Sequence, residues 1–574
     1  MLTPDQLLTS RFRPALEGLG ARYAGWDPEL RPATRPEFGH FQTNLPVRLA
    51  KPLGLPPREI ADRLLAGSHL EDVCLPPTFA GAGFLNLTLR PEFLAGQVSA
   101  LLADPHLGVA QADPPRRVVV DHSSPNVAKQ MHVGHLRSTV IGDALARVFA
   151  AVGDVVVRQN HVGDWGTQFG MLIEHLLEEG HDGADLSLSA LDGFYRQARE
   201  RFDADPGFAG RARARVVALQ GGDPRTHHVW RGLVDTSMRS FAEVYARLGS
   251  GLTPTDTAGE SSYAAALAGV VDDLRTAGLL VESNGASCVF PRGFANRDGE
   301  PLPVVVRKSD GGFGYDATDL AALRHRVTAL RADRIVYVVD ARQALHFDQV
   351  FAVAREAGWL PEEVTVQHVA FGTVLGEDGR PFRTRTGGTV PLSALLDAAE
   401  SRAAEVLGGR GSRLDASERT AVVRAVGIGA VKYADLVNGL GRDYVFSLER
   451  MVAMDGNTGP YLQYAHARVA SLLERSAIVP RDVSVLDHPA EVRLALLLTG
   501  FPGAVASVAE TLEPHRLCGH LHQVATALSA FYEACPVLSA EGEVRVSRLA
   551  LCRATREVLA AGLGLLGIDA PERM

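Results

Sequence analysis

Apolar positions change their spacing along residues 116–149. The stretch RRVVVDHSS starts as a short apolar run and ends in polar residues, as a buried parallel strand does. From Gly134 onward the apolar residues recur at helical spacing and form one face, made of Leu136, Val140, Ile141, Ala144, Leu145, Val148 and Phe149. A second strand and loop (VGDVVVRQNHVGDWG) and a second helix (QFGMLIEHLLEEG) follow. This alternation of strands and helices predicts a doubly wound parallel sheet.

A second half of the same sheet is predicted further along the chain. DRIVYVVDARQALHFDQVFAVAREAG (333–358) has the pattern of a strand, a turn and a helix, and VTVQHVAFGTVLG (364–376) that of another strand. The residues between the halves, about 180–300, are charged and helix-rich. They predict an insertion between two halves of one nucleotide-binding sheet. We therefore expect a central α/β domain of the Rossmann type over residues 113–390.

Different patterns flank this central domain. Residues 1–112 predict a small α+β domain, because EFGHFQTNLPVRLAKPLG passes from a polar loop into a helix and GAGFLNLTLR alternates as a strand does. The Pro- and Asp-rich ADPHLGVAQADPPRR is typical of a linker. After about residue 391 the strands stop and amphipathic helical patterns follow. We expect a helical stem or linker over residues 391–450 and an all-α helical bundle over residues 451–574.

The bulk composition restricts the class of protein. A chain of 574 residues is too long for one core, and 46% hydrophobic with 22% charged residues is ordinary for a soluble protein. The net charge of -9 argues against a wholly basic surface but leaves room for a local basic face that contacts nucleic acid. Five scattered cysteines form no CxxC pair, which favours a reducing cytosol. The N-terminal residues have no export pattern, and the longest uncharged run (494–509) is short and interrupted by Gly-Phe-Pro-Gly. We expect a soluble cytoplasmic protein.

The stretch SSPNVAKQMHVGHLRSTV contains the most distinctive chemistry in the chain. It contains one of only four lysines, Lys129, just before His132, Gly134 and His135. Three interpretations are open: a metal site, a helix N-terminus that binds phosphate, and an ordinary helix start with incidental histidines. A catalytic zinc needs three protein ligands, and HVGH supplies two without the HExxH glutamate, so we expect no metal site.

A phosphate site fits the strand, loop and helix context of this stretch. Unpaired backbone N–H groups and the helix dipole stabilise an anion at a helix N-terminus, beyond the carboxyl end of a strand. Gly134 would allow a base or ribose to approach the backbone, and two histidines three residues apart can both donate to phosphoryl oxygens. Donors placed this way help most when negative charge builds up on phosphorus. No Walker P-loop occurs in the chain, which disfavours kinase or ordinary ATPase chemistry.

HVGH resembles the HIGH signature of class I aminoacyl-tRNA synthetases, and longer blocks resemble one family among them. SSPNVAKQMHVGHLRSTVIGDALARV, NHVGDWGTQFGML, YVVDARQALHFDQVF, FRTRTGGTVPLSALLDAA, GPYLQYAHARVASLL and LGLLGIDAPERM are all similar to arginyl-tRNA synthetase. The resemblance covers almost the entire chain. It implies an ATP-dependent ligase that forms arginyl-adenylate and transfers arginine to the 3′ terminal ribose of tRNA(Arg). ATP with Mg²⁺ is expected as a substrate complex, with no tightly bound cofactor.

The resemblance assigns the nucleotide site to residues of three segments. His132, Gly134 and His135 are expected to bind ATP, with the glycine under the adenosine, and His346 to join them. The family's second signature, KMSKS, normally supplies lysine, but the matching RPFRTRTGG (380–388) has none. Arg383 and Arg385 are expected to take its charge role there. Members with a lysine-poor loop carry a lysine just before HIGH, which implies that Lys129 supplies the missing cation and, with His132 and His135, takes part in catalysis.

The arginine site follows from the same resemblance. A guanidinium is best held by a carboxylate in bidentate geometry. FGYDATDLAAL resembles the family's pocket, so Tyr315 and Asp319 are expected to bind the guanidinium, on one side of a helix that begins near Tyr315. Asp121, Asn126 and Gln343 match family positions near the charged α-groups. Helix capping by Asp319 or a surface position for Gln343 is the alternative from the residues alone.

Contacts with tRNA are implied for both flanking domains. The N-terminal domain is expected to bind the outer corner of tRNA through Phe41, Gln42 and Asn44, and the C-terminal bundle to bind the anticodon. The residues that match family positions near the anticodon are Tyr461, Tyr464 and Met574. Arginine side chains are expected to cluster on the surface that faces tRNA, and the chain to act as a monomer. The alternatives are a non-catalytic RNA-binding paralogue of the same fold and a nucleotidyltransferase for a small molecule.

Overall fold

The computed structural model describes residues 1–81, 83–182, 186–382, 390–408, 414–476 and 478–574. Its N-terminal part is the expected α+β domain, with a four-stranded antiparallel sheet in the order β1-β2-β4-β3. Helices pack on this sheet through buried leucines such as Leu45, Leu49 and Leu64. The elements are α1 (Pro4–Gly18), β1 (Arg31–Pro32), β2 (Phe41–Thr43), α2 (Leu45–Leu53), α3 (Pro57–Ser68), β3 (Thr78–Ala80), β4 (Phe84–Leu87) and α4 (Pro91–Ala103).

The segment predicted as a linker is exposed over most of its length and packs against the protein at a few residues. Its first residue, Ala103, ends α4, and Leu107 and Val109 are 9% and 7% exposed. Helix α4 also contacts the C-terminal helices, because the Ser99 hydroxyl accepts from the Val483 N–H at 2.9 Å. The Pro and Asp content predicted a loop correctly for the later residues, but this loop is attached to the body of the protein.

The central domain contains a four-stranded parallel sheet in the order β11-β10-β5-β6, which confirms the predicted doubly wound architecture. Alternate residues of its strands face two different cores: Val118 and Val120 join one, and Val119 joins the other. The strands and their connecting helices are β5 (Arg117–Asp121), α5 (Val133–Ala151), β6 (Val155–Gln159), α11 (Tyr315–Thr328), β10 (Arg334–Asp340), α12 (Ala344–Glu356) and β11 (Thr365–Phe371). Since all four strands are parallel, the loops that leave their carboxyl ends share one edge of the sheet.

The insertion between β6 and β10 is helix-rich over 180–300, as predicted, but it also contains a small sheet that was not predicted. After its helices come three antiparallel strands in the order β7-β8-β9, the last of which ends at Arg307. The run of β-branched residues in PLPVVVRKS carried the signal for this last strand. The elements are α6 (Thr167–Glu178), α7 (Leu188–Ala204), α8 (Pro206–Gln220), α9 (Pro224–Leu248), α10 (Leu267–Thr276), β7 (Leu280–Ser283), β8 (Ala286–Val289) and β9 (Val304–Arg307).

The C-terminal third is a helical bundle, as predicted, with one exception. Strands do not stop at residue 391, because β13 (Tyr444–Val445) pairs in parallel with β12 (Val374–Leu375) and ties this part to the central domain. A two-residue strand is too short to leave a periodic signal. The helices are α13 (Leu392–Gly408), α14 (Ala416–Leu436), α15 (Leu448–Met451), α16 (Gly459–Ser476), α17 (Pro489–Thr499), α18 (Phe501–Thr511), α19 (His515–Ala534) and α20 (Gly542–Leu565). The domain boundaries named from the sequence stay a prediction.

The apolar run near residue 500 lies in consecutive helices, and Gly500 alone separates α17 from α18. Judged by length and composition only, the whole span Pro489–Thr511 is long and apolar enough to cross a membrane. More than half of its most apolar window is buried inside the protein, against helices that include α4, α5 and α19. Such burial is typical of a core helix.

Candidate active site

The HVGH stretch forms the first turn of α5, and His132 caps it. Nδ1 of His132 accepts a hydrogen bond from the Gly134 N–H at 3.0 Å, and Nδ1 of His135 accepts one from the His132 N–H at 3.0 Å. Because both Nδ1 atoms are acceptors, each neutral ring carries its proton on Nε2. The ring centroids are 4.1 Å apart. Two Nε2–H donors therefore lie together at a helix N-terminus, where the dipole already favours an anion.

Both imidazoles are held in the neutral form. Burial, reinforced by the positive charges of Lys129 and Arg342, lowers the pKa of His132. Burial and the neighbouring His132 lower the pKa of His135 to about 3. The tautomer set by the backbone therefore persists at neutral pH, and the rings act as hydrogen-bond donors to a ligand without carrying a charge themselves.

Gly134 is required by the position of the capping histidine. A Cβ at this residue would lie 2.7 Å from Cε1 and 2.9 Å from Nδ1 of His132, closer than van der Waals contact allows. The imidazole of His132 is therefore able to fold over the Gly134 N–H only because residue 134 has no side chain. From the sequence, Gly134 was expected to allow a ligand to approach the backbone closely. The structure shows that the capping position of the His132 ring also requires a glycine here.

Lys129 approaches the helix turn from the preceding loop. Its Nζ lies 4.3 Å from the centroid of the Tyr195 ring on α7, and its charge contributes to the lowered pKa of His132 and His135. The cation is thus near the histidine turn, as the proposed compensation for the lysine-free loop requires. Arg383 and Arg385 of that loop lie outside the described residues.

An acidic cluster lies at the same edge of the sheet and is defined here as Asp164, Glu260, Asp316 and Asp319. Oδ2 of Asp319 is 2.6 Å from Nε2 of His346, and Oδ1 of Asp316 is 3.1 Å from Nδ1 of the same ring. Burial opposes protonation of His346, but the hydrogen bonds and charges of the two carboxylates raise its pKa to about 9. His346 is consequently an imidazolium at neutral pH. Burial raises the pKa of Asp319, but His346, His161 and Arg326 outweigh it and keep that pKa low.

Glu260 is the member of the acidic cluster whose charge is least compensated. Burial first, and then the negative charges of Asp319 and Asp164, raise its pKa to about 8. Burial likewise raises the pKa of Asp164, against the opposing hydrogen bonds from Ser261. A half-buried carboxyl that stays protonated beside other carboxylates marks a place where an added cation would be stabilised strongly. Arginine's guanidinium is such a cation.

Sequence reasoning missed Glu260, Asp164, Asp316 and His161. His161 Nε2 lies 3.5 Å from Oδ1 of Asp319, which brings the loop after β6 to the acidic cluster. Asp164 and His161 stand within the NHVGDWG block and Asp316 within FGYDATDLAAL, so both blocks pointed to the right segments. Glu260 follows the insertion helices with no local pattern around it. Only the folded chain shows that it lies near Asp319.

The remaining residues predicted near arginine lie in different environments. Tyr315 begins α11, as predicted, with its ring 64% exposed and 5.1 Å from the His346 ring. Asp121 is buried in an ion pair with Arg326 at 2.8 Å, so an internal cation already occupies its carboxylate. Asn126 is exposed, and Gln343 is exposed at the start of α12. Asp319 lies within α11 and does not cap it, which removes the capping alternative.

His346 is placed with the arginine residues rather than beside the histidine turn. It contacts Asp316 and Asp319, and its ring packs against Tyr315. Its expected role in ATP binding stays a prediction. The structure shows a different contact for His346, because its imidazolium holds the Asp319 carboxylate in position.

The residues predicted to bind the tRNA corner lie on β2 and at the start of α2. Phe41 is only 7% exposed and packs in the core, so its ring is not presented to solvent. Gln42 is half-buried and donates from Nε2 to Oδ1 of Asn86 at 2.7 Å. Asn44 precedes α2 and makes no side-chain cap. Their predicted contacts with tRNA stay predictions.

A cleft in the C-terminal bundle brings aromatic and cationic side chains together. Tyr461 and Tyr464 line it, as do Arg468 and Tyr532, whose guanidinium carbon and ring centroid are 4.0 Å apart. An aromatic cleft with an arginine suits a base that is unstacked from RNA. Met574 is partly buried against the same hydrophobic core.

The candidate site has two sides of opposite charge. Donors and a cation gather at the histidine turn after β5, and carboxylates gather beyond β6 and at the start of α11. The first side suits the phosphates of a nucleotide and the second a cationic side chain. Among the described residues, no group of three or more His, Cys, Asp or Glu side chains has the geometry to hold a metal ion.

Comparison with known proteins covers the chain almost completely. Three family models match: the N-terminal domain of arginyl-tRNA synthetase (residues 6–89), the catalytic domain of class I (R) tRNA synthetases (97–448) and the DALR anticodon-binding domain (462–574). The arginine–tRNA ligase of Cutibacterium acnes is 54% identical over 565 residues, 96% of this chain and 97% of that relative. The one from Laribacter hongkongensis is 48% identical over 575 residues, 100% of both chains.

Solved structures of arginyl-tRNA synthetases also match over the whole chain. The arginyl-tRNA synthetase of Plasmodium falciparum superposes with a TM-score of 0.83 at 27% identity and that of Thermus thermophilus with 0.82 at 26%, each over 100% of both chains.

Proposed function

The chain belongs to the arginyl-tRNA synthetase family, and from that premise we propose how its own residues divide the reaction. It charges tRNA with L-arginine and consumes ATP. The carboxylate of arginine attacks the α-phosphorus of ATP, and pyrophosphate leaves. A hydroxyl of the 3′ terminal ribose of tRNA then attacks the carbonyl of arginyl-adenylate, and AMP leaves. Each step depends mainly on positioning and on stabilising the negative charge that develops.

The histidine turn binds the phosphates of ATP. Nε2–H of His132 and Nε2–H of His135 donate to phosphoryl oxygens, and Gly134 lies under the adenosine. Lys129 supplies the cation that compensates for charge on the pentavalent phosphorus. Arg383 and Arg385 add positive charge from the second loop, and Mg²⁺ accompanies ATP as part of the substrate complex. This assignment is supported by the tautomers that the backbone imposes on both rings.

The acidic cluster binds the guanidinium of arginine. Asp319 accepts from it in bidentate geometry, and Glu260 loses its proton and accepts from the remaining N–H groups. Tyr315 contacts the guanidinium together with Asp319, while Asn126 and Gln343 are near the α-amino and carboxylate groups. The single observation that carries this assignment is the convergence of Glu260 with Asp319 and Asp164, whose negative charges together with burial raise the pKa of Glu260 to about 8, so that an added cation is stabilised there.

Transfer RNA binds along both flanking domains. We assign the corner of tRNA to Gln42 and Asn44 with the backbone around Phe41, and the anticodon to the C-terminal cleft with Tyr461, Tyr464 and the terminal Met574. The protein acts as a monomer in the cytoplasm. The support is the match to an anticodon-binding domain and the aromatic lining of the cleft.

The test is arginine-dependent exchange of pyrophosphate into ATP, with and without tRNA and against the other amino acids. Exchange with arginine alone supports the assignment, and dependence on tRNA would add coupling between the RNA and the active site. No exchange under any condition would favour a non-catalytic RNA-binding protein. Asp319→Asn should lower kcat/KM for arginine about a hundredfold or more, because it removes a charged partner from a desolvated pair. Asp298→Asn, at an exposed loop carboxylate, is the matched control.

A further inference from the structure

The loop between β5 and α5 has an unusual backbone. Ser123, Ser124 and Ala128 have φ angles of 74°, 48° and 62°, in the left-handed region that residues with a Cβ seldom adopt. Asn126 and Lys129 belong to the same loop. Such a backbone persists only where surrounding contacts determine it, and it occurs most often at functional sites.

Helix α9 of the insertion supplies two of the contacts to this loop, beside those from α5, where the Ser138 hydroxyl accepts from the Ser123 N–H at 2.8 Å. The Ser237 hydroxyl accepts from the Ala128 N–H at 2.9 Å, and the Tyr245 hydroxyl is 2.7 Å from the Ser123 hydroxyl. Asn160 extends the second contact, since its Nδ2 donates to the Tyr245 hydroxyl at 3.0 Å and its Oδ1 accepts from the Ser124 N–H at 3.0 Å. Ala128 and Ser123 are thus hydrogen-bonded directly to hydroxyls of α9. Ser124 is linked to the Tyr245 hydroxyl through Asn160.

The two hydroxyls are well placed for this purpose. Ser237 and Tyr245 are eight residues apart, which puts them on one side of α9. They are 0% and 5% exposed, so water does not compete for their hydrogen bonds. Burial raises the pKa of Tyr245 to about 12, which keeps its hydroxyl neutral throughout the working pH range.

Helix α9 is itself fixed at its C-terminal end by three cations. Arg424 donates to the Ala246 carbonyl at 2.9 Å, Lys432 to the Leu248 carbonyl at 2.7 Å and Arg147 to the Gly249 carbonyl at 2.8 Å. The last carbonyls of a helix lack partners within the helix and carry partial negative charge, so cations stabilise this end. Two of the cations belong to α14, which joins α9 firmly to the C-terminal bundle.

We propose that Ser237 and Tyr245 are positioning residues, which hold the loop of Asn126 and Lys129 in its left-handed conformation and so place both side chains for adenylate formation. Neither residue touches a substrate. The proposal rests on the proposed function of that loop. The insertion then contributes to the reaction indirectly, through the conformation of this loop.

The first test uses Tyr245→Phe and Ser237→Ala, each of which removes one hydroxyl and little volume. Arginine-dependent pyrophosphate exchange with tRNA present should show kcat lowered about ten- to hundredfold, because a small displacement of a reacting group has an effect of that size. The matched control is Ser547→Ala, since the buried Ser547 hydroxyl likewise accepts backbone N–H groups, from Ser484 and Val485, far from the loop. The control should lower the melting temperature by a similar amount and leave kcat within twofold. Rates of Tyr245→Phe and Ser237→Ala within twofold of the parent, or an equal loss in the control, would overturn the proposal.

A double-mutant cycle with Lys129→Ala separates positioning from a general loss of structure. If Tyr245 acts through Lys129, Tyr245→Phe should change the rate less than twofold in the Lys129→Ala background. A fold-loss that stays the same as in the parent in both the Lys129→Ala and the Asn126→Ala backgrounds would overturn the proposal. A Lys129→Ala variant with the parent rate would refute the role given to Lys129, and the cycle with Asn126→Ala would then decide the proposal in the same way.

Discussion

Binding of arginine should release a proton from Glu260. The pKa of this carboxyl is raised to about 8 by burial and by the charges of Asp319 and Asp164. At pH 7 only about one tenth of the free protein therefore carries Glu260 in its ionised form. A guanidinium placed against the acidic cluster stabilises that ionised form, so the proton leaves when arginine enters.

The size of the effect follows from the same pKa. Since arginine prefers the ionised form of Glu260, its affinity should rise about fivefold between pH 7 and pH 8. At pH 7 the release should be about 0.9 proton per arginine bound. The guanidinium does not titrate in this range, so it adds nothing to the release.

Isothermal titration calorimetry in two buffers of different ionisation enthalpy measures the proton release directly. Glu260→Gln is the control, because it keeps the shape of the side chain and removes the titration. The variant should bind arginine more weakly and lose most of the dependence on pH between 7 and 8. Release below about 0.2 proton in the parent chain, or an equal pH dependence in the variant, would refute the reasoning about Glu260.

Three further predictions concern other parts of the molecule. Gly134→Ala should lower the exchange rate about fivefold, because the new Cβ would displace the His132 ring from its cap at a cost of about 1 kcal/mol. Gly96→Ala, at an exposed helix position with open space around it, should leave the rate unchanged and the melting temperature equal or higher. Lys129→Ala should lower arginine-dependent exchange about a hundredfold or more while far-UV circular dichroism and melting stay the same, and a rate within threefold of the parent would show that the chain does not depend on this cation. Tyr464→Ala should weaken tRNA binding by about 1–3 kcal/mol in a filter-binding titration, through loss of stacking on an unpaired base, and unchanged affinity for tRNA would remove this residue from the anticodon site.

The fold could be predicted from the sequence where the periodicity was strong and local. The change from a strand pattern to a helical face after Asp121 located β5 and α5, because both elements bury regular sets of apolar residues. The same reasoning failed for Tyr444–Val445, where pairing depends on a distant strand. In the insertion, β7 and β8 were missed because each spans only four residues, too few for a clear periodic pattern.

The part of the site that lies in one short stretch of sequence could be predicted. His132 and His135 are three residues apart, so the helix turn alone brings their rings together. Glu260 and Asp319 belong to segments far apart in sequence, and only the packing of the insertion against α11 makes their charges interact. The resemblance to a family identified Asp319, whereas the raised pKa of Glu260 depends on burial and on neighbouring charges that no linear pattern contains.

The most direct test of the account compares arginine with citrulline in pyrophosphate exchange. Citrulline has nearly the same shape as arginine but is neutral, so it should not compensate for the charges of Asp319 and Glu260. Exchange is expected with arginine, and at least about a hundredfold less exchange with citrulline at equal concentration. Comparable exchange with both would contradict the claim that the acidic cluster recognises the guanidinium by its charge.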